Sequence, residues 1–183
     1  MKRTTILGLV LVSALAAACS PPPQAPAGET TTSAPVEHES ATPAEHFAQR
    51  AAMYERYQIE AARLAAANSP SAAVKAYAAT AEQEHSAALA SLNEAARASG
   101  LAEQSGAPDD DYNAYLDMLR RPENFDVNYA SQQALTAMSA SGLYDSFTST
   151  APDSPLKQWA TAQAQHVHDG VGAARRLAGE IQH

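Results

Sequence analysis

Four long runs in which small or apolar residues recur every three or four positions constrain this chain more than any other feature. Such spacing places one stripe on each run when the run is helical. The first run covers about residues 44–67, with Phe47, Ala51, Tyr54, Gln58, Ala61 and Ala65 on its stripe. "NSPS" (68–71) stops it, with Ser69 as the expected cap and Pro70 at the first position of the next helix. The second run covers about 71–99, with Val74, Ala78, Ala81, His85, Ala88 and Leu92 facing inward, and Gly100 ends it. The third begins at Phe125 or Asp126 and reaches Phe147 through Tyr129, Gln133, Thr136, Ala140 and Tyr144. The fourth starts at Ser154-Pro155 and reaches Ile181 through Leu156, Trp159, Gln163, Val167, Gly170, Ala174 and Leu177.

Between the second and third runs, "DDDYNAYLDMLRR" predicts a short extra helix whose first-turn acids complement its dipole. The link that holds it is longer than a tight turn needs, so a crossover or an overlay of one bundle end is expected. The fold class is therefore all-α, an antiparallel four-helix bundle with a short helix between helices 2 and 3. The Ala and Gly of the stripes predict close helix approach, with aromatic side chains filling the gaps.

The sequence before the first run is of another kind. Residues 1–18 read as a secretory signal: Lys2 and Arg3, then an uncharged apolar stretch ending in Ala16-Ala17-Ala18. Cys19, the single cysteine, follows directly and resembles the acylated position of a bacterial lipobox. Lipidation there gives a lone thiol a purpose in an oxidising compartment, and several acyl chains anchor stably. Ser20 in place of Asp favours the periplasmic side of the outer membrane. Residues 19–43 are rich in Pro, Ser, Thr and Glu and bury too little surface to order themselves, so they read as a disordered tether. Residues 44–183 form the bundle domain.

The chain carries 12 Lys and Arg against 20 Asp and Glu, a formal net charge of −8. Losing residues 1–18 removes two basic residues and no acid, which takes −8 to −10. No basic cluster offsets this, so nucleic acid is excluded as a partner.

Three segments, "VKAYAATAEQEH" (74–85), "FDVNYASQQ" (125–133) and "LKQWA" (156–160), agree in order and spacing with a bacterial family. The chain resembles the family known as domain of unknown function 4142 over about residues 44–180. Members are commonly labelled outer membrane proteins, and the resemblance implies a ferritin-like bundle. The family pattern has a Glu in helix 1, an Asp-His pair in helix 2, and a His in each of helices 3 and 4. These positions fall on Gln58, Glu84-His85, Ala137 and Gly170, so the resemblance supports the fold and weakens a metal role.

Chemistry in the residues themselves centres on "EQEH" (82–85). Glu82 and His85 lie three apart and share a helical face. Glu-x-x-His is half of the motif by which ferritin-like bundles hold two ions, but the matching segments, Gln163-x-x-His166 and Gln165-x-x-His168, carry Gln. The smaller alternative is one zinc, copper or iron ion on Glu82, His85 and His166. The plainer expectation is a buried His85 hydrogen-bonded to Gln58 or a Tyr hydroxyl, with Glu84 pointing elsewhere and no cofactor. No Gly-rich phosphate loop and no G-x-S-x-G elbow is present, and the tyrosines at helical spacing read as core. The expected protein is thus not an enzyme. It is a lipid-anchored envelope bundle with a structural, stress-related or binding role toward a protein or small ligand.

Overall fold

The structure, a computed structural model, describes residues 41–181. The signal, Cys19, the tether up to residue 40 and His183 lie outside the described residues. Within them the chain is all-helical: α1 (Pro43–Asn68), α2 (Ala72–Ala98), α3 (Asp110–Leu119), α4 (Phe125–Thr150) and α5 (Pro155–Ile181). Among the described residues no helix is long and apolar enough to cross a membrane.

Local chemistry sets the ends. "TPAE" forms a capping box at α1: Thr42 Oγ1 accepts from Glu45 N–H at 3.2 Å, and Glu45 Oε2 accepts from Thr42 N–H at 2.7 Å. The cap of α2 is Ser71, not Ser69: Ser71 Oγ accepts from Val74 N–H. Ser69 instead donates to Asp126 Oδ1 at 2.5 Å and so ties the α1–α2 turn to the start of α4. α4 runs one turn past the expected end at Phe147. The hydroxyls of Thr148 and Thr150 bond to carbonyls four residues back, within the helix they would otherwise discourage.

The short turns after α1 and α4 fold α1–α2 and α4–α5 into antiparallel hairpins, and the contacts between them fix the remaining directions. Phe47 meets Phe147, while Ser69 meets Asp126, so α4 runs antiparallel to α1. Trp159 Nε1 donates to Ser91 Oγ, and His166 approaches Glu84, so α5 runs antiparallel to α2. Each long helix thereby packs on two others, in the ring α1–α2–α5–α4.

α2 and α4 then point the same way, and residues 99–124 must return along the length of the bundle. That resolves the link as a lengthwise crossover, not an overlay of one end. It lies over α1 and α4. Asp109 pairs with Arg50 at 2.6 Å, the Tyr112 ring stacks on Tyr57 at 4.7 Å, and Gln132 Nε2 donates to the Tyr115 carbonyl. Its approach is close enough to require glycine at Gly106. There φ is +66°, and a Cβ would lie 2.5 Å from the Ala52 carbonyl oxygen.

Every residue assigned to the third stripe is buried: Tyr129, Gln133, Thr136, Ala140, Tyr144 and Phe147. On the second and fourth stripes the outer positions are buried too, apart from the half-buried Trp159, but in the middle His85, Ala88, Gln163 and Gly170 are only half-buried. These four face one another across the same gap.

Candidate functional site

That gap is a cleft of about 510 Å³ between α2 and α5, with α1 behind it. Its volume lies within the roughly 300–1,000 Å³ of small-molecule sites. Ala81 and Ala88 on α2, Ala137 on α4, and Gly170 and Ala173 on α5 line it. The expectation that small side chains bring helices together with aromatics filling the gaps fails at this level. Most of the aromatics lie elsewhere: Phe47, Tyr144, Phe147 and Trp159 pack together near the start of α1, and Tyr57 and Tyr112 pack under α3, while Tyr54 and Tyr77 line the cleft without filling it. Small residues with no large neighbour opposite leave space.

At the back of the cleft sits a buried acid. Glu55 of α1 is 2% exposed. A carboxylate so far from water is costly unless it is paired and hydrogen-bonded. Its Oε2 lies 2.5 Å from His85 Nδ1, and its Oε1 accepts from the Tyr144 hydroxyl at 3.3 Å. Burial, then the neighbouring Glu55 charge, pushes the Tyr144 phenol well above its ordinary range, which keeps it a donor. With the carboxylate ionised, His85 donates through Nδ1–H, and this bond sets the tautomer. Nε2 takes part in no hydrogen bond among the described residues. The Tyr54 ring stands perpendicular to the imidazole at 5.3 Å and holds its plane. An oriented imidazole with one nitrogen available therefore faces the cleft.

At the rim, His166 Nε2 lies 3.5 Å from Glu84 Oε2, and both side chains are about half exposed. Gln163, Asp169 and Arg176 of α5 and Tyr77 and Thr80 of α2 complete the polar lining. Burial, then the Glu84 charge, pushes the Tyr77 phenol up to about 12.

Three expectations need correction. His85 bonds to Glu55, not to Gln58 or a Tyr hydroxyl; Gln58 Nε2 donates to Thr136 Oγ1 at 3.0 Å instead. Glu84 does not point elsewhere but lines the cleft. Glu82 turns away from both histidines to pair with Arg63 Nε of α1 at 2.7 Å. At about 100° per residue, positions 82 and 84 flank 85 on opposite sides of the helix. One therefore leans to the outer edge of α1 and the other to α5. The set Glu82, His85 and His166 is not gathered. Among the described residues no group of three or more His, Cys, Asp or Glu is placed to hold one ion. His168 lies outside the cleft, 3.0 Å from Asp145 Oδ1.

Glu55 lies off the stripe that periodicity assigns to α1, which centres on Gln58. Yet α1 packs against α2, α3 and α4 and buries Ala51, Ala52, Tyr54, Glu55, Tyr57 and Gln58 together. A helix buried on so many sides leaves few positions where an acid can be solvated.

The family model described as Domain of unknown function (DUF4142) matches residues 29–177. Neither a curated protein nor a solved structure matches the chain.

Proposed function

The chain belongs to the DUF4142 family, and from that premise we propose that it is a non-catalytic, lipid-anchored envelope protein whose helical domain binds a small ligand. The observation that carries this reading is the cleft of about 510 Å³ between α2 and α5, backed by the Glu55–His85 pair. A bundle with only a structural role gains nothing from leaving that space or from burying an acid beside it. Two antiparallel hairpins joined by one lengthwise crossover also support the ferritin-like arrangement, which has a single long connection. In this reading acylated Cys19 holds the domain at the periplasmic face of the outer membrane, with residues 20–40 as the tether.

Amide NMR spectra of the isotope-labelled protein, recorded with a collection of small polar and aromatic compounds, test the cleft. Binders are expected to perturb the amides of Ala81, Ala137 and Gly170, and Gly170→Phe is expected to abolish the effect. Hits that survive Gly170→Phe, or a collection with no hits, would overturn the reading. For the anchor, Cys19→Ser is expected to release the protein into the soluble periplasm; continued sedimentation with membranes would refute lipidation.

A further inference from the structure

We infer that the ligand of the cleft is a compact organic cation: an amine or related N–H⁺ group on an apolar body. The inference rests on the binding reading above and narrows it to a chemical class.

Charge is the first argument. The lining carries three acids, Glu55, Glu84 and Asp169, against one permanent cation, Arg176. The chain as a whole is formally −8. The field at the mouth therefore repels anions and concentrates cations. Arg176 is exposed at the rim, while Glu55 lies at the back, so the negative charge reaches deepest.

The second argument is hydrogen bonding. A neutral His85 that gives its Nδ1–H to Glu55 presents a lone pair at Nε2. An ammonium has donors and no acceptor, and it complements that lone pair and the Glu84 carboxylate beside it on the same helix. The Glu55 charge behind the ring strengthens the acceptor, as a carboxylate does for any ring nitrogen on the far side of an imidazole.

The third argument is the aromatic wall. Tyr54 and Tyr77 line the cleft, and burial keeps both phenols neutral: Tyr54 is pushed well above its ordinary range and Tyr77 to about 12. Neutral phenol rings offer a negative face to a cation. Between them and α5 the lining is Ala76, Ala81, Ala88, Val167 and Ala173, which suits a hydrocarbon body.

Three probes of nearly equal shape separate charge from shape: phenethylammonium, 2-phenylethanol and 3-phenylpropionate. Titration calorimetry on the whole mature chain at pH 8 and low salt reads their affinities. The amine is expected to bind about tenfold tighter than the alcohol, and the acid most weakly, with the amine's advantage shrinking as salt rises. Glu84→Gln, at an exposed position that leaves the core intact, is expected to weaken the amine roughly fivefold and leave the alcohol unchanged. If the alcohol or the acid binds as tightly as the amine, the cation inference falls while the cleft remains a binding site. The same holds if Glu84→Gln leaves the preference unchanged. If none of the three binds, the inference and the binding reading fall together.

Discussion

The two sides of this bundle are built from different residues. On the α1–α4 side, Phe47 lies face to face with Phe147 at 3.9 Å and edge-on to Tyr144 at 5.2 Å, and α3 covers what remains. On the α2–α5 side the facing residues are mostly small or polar, with Tyr77 the one aromatic of these two helices in the lining, and a cleft is left open. Aromatic rings fill the volume between helices about 8–10 Å apart; alanines fill it only if the helices close up. The α1–α4 side, and the turn that Ser69 ties to Asp126, hold the frame fixed, so α2 and α5 do not collapse onto each other. A rigid half thus permits an open half, and the Glu55–His85 pair sits where the two meet.

The largest effect expected from this contrast is alkaline unfolding. Burial pushes the phenols of Tyr57, Tyr129 and Tyr144 upward on the closed side, and those of Tyr77 and Tyr112 up to about 12. Each folded value lies above the ordinary value near 10. The stability these groups contribute is therefore fully present below pH 10. It is lost as pH rises toward the folded values, because the unfolded chain releases protons that the folded chain keeps. Helical circular dichroism should fall between pH 10 and 12, with tyrosinate absorbance rising in step. More tyrosinate than Tyr77 at the cleft and the half-buried Tyr115 can supply, appearing while the helices are intact, would mean that the closed side is open to water, and the contrast would fail.

Next in size is Phe47→Ala. Phe47 is 1% exposed within a filled aromatic cluster, so the cavity term applies in full and the loss should be about 3–5 kcal/mol by denaturant unfolding. Val167→Ala, at the wall of the cleft, should lose only about 1–2 kcal/mol, since part of its surroundings is already space. Equal losses at the two positions would show that the cleft side is as tightly packed as the other.

His85→Ala probes the junction. It strips Glu55 of its closest partner and leaves only the Tyr144 hydroxyl, a loss of about 3 kcal/mol. Replacing both members, with Glu55→Leu and His85→Leu, should recover most of that loss, because an apolar pair needs no partner. A double variant no more stable than the single one would mean that the pair is a net source of stability, which would weaken the case that the acid is there for binding.

Periodicity made the helices legible because each stripe is a local property. The six residues assigned to the α4 stripe are all buried, and the breaks at Pro70, Gly100 and Pro155 fall within a few residues of real helix ends. What stayed hidden depends on which helices become neighbours. The crossover of residues 99–124 follows from α2 and α4 pointing the same way, which no stripe records. Glu55 was invisible as a site residue because its burial comes from three packing partners at once. The cleft was misread for a related reason. Ala81, Ala137 and Gly170 are compatible with close approach or with a void, and the large residues opposite decide which. In "EQEH" the spacing pairs His85 with Glu82, whose partner is Arg63. The acid that matters to His85 came from thirty residues upstream.

The smallest expected effect is the most discriminating. A Cβ at Gly170 would meet nothing within 4 Å, whereas one at Gly106, where the crossover presses on α1, would lie 2.5 Å from a carbonyl oxygen. Gly170→Ala should therefore stabilise the protein, by the roughly 0.5–1 kcal/mol that alanine gains over glycine inside a helix. Gly142→Ala supplies the control, because Gly142 is exposed within α4, also has open space around it, and reports helix propensity alone. On thermal unfolding both variants should melt a few degrees higher, by about 2–4 °C for each kcal/mol gained. Equal gains would mean that α5 stands clear of α2 at Gly170 in solution. If α2 and α5 close up there, the added methyl must push them apart, and the gain at Gly170 disappears while that at Gly142 remains. The difference between these two melting temperatures thus measures directly whether the open half of the bundle is open.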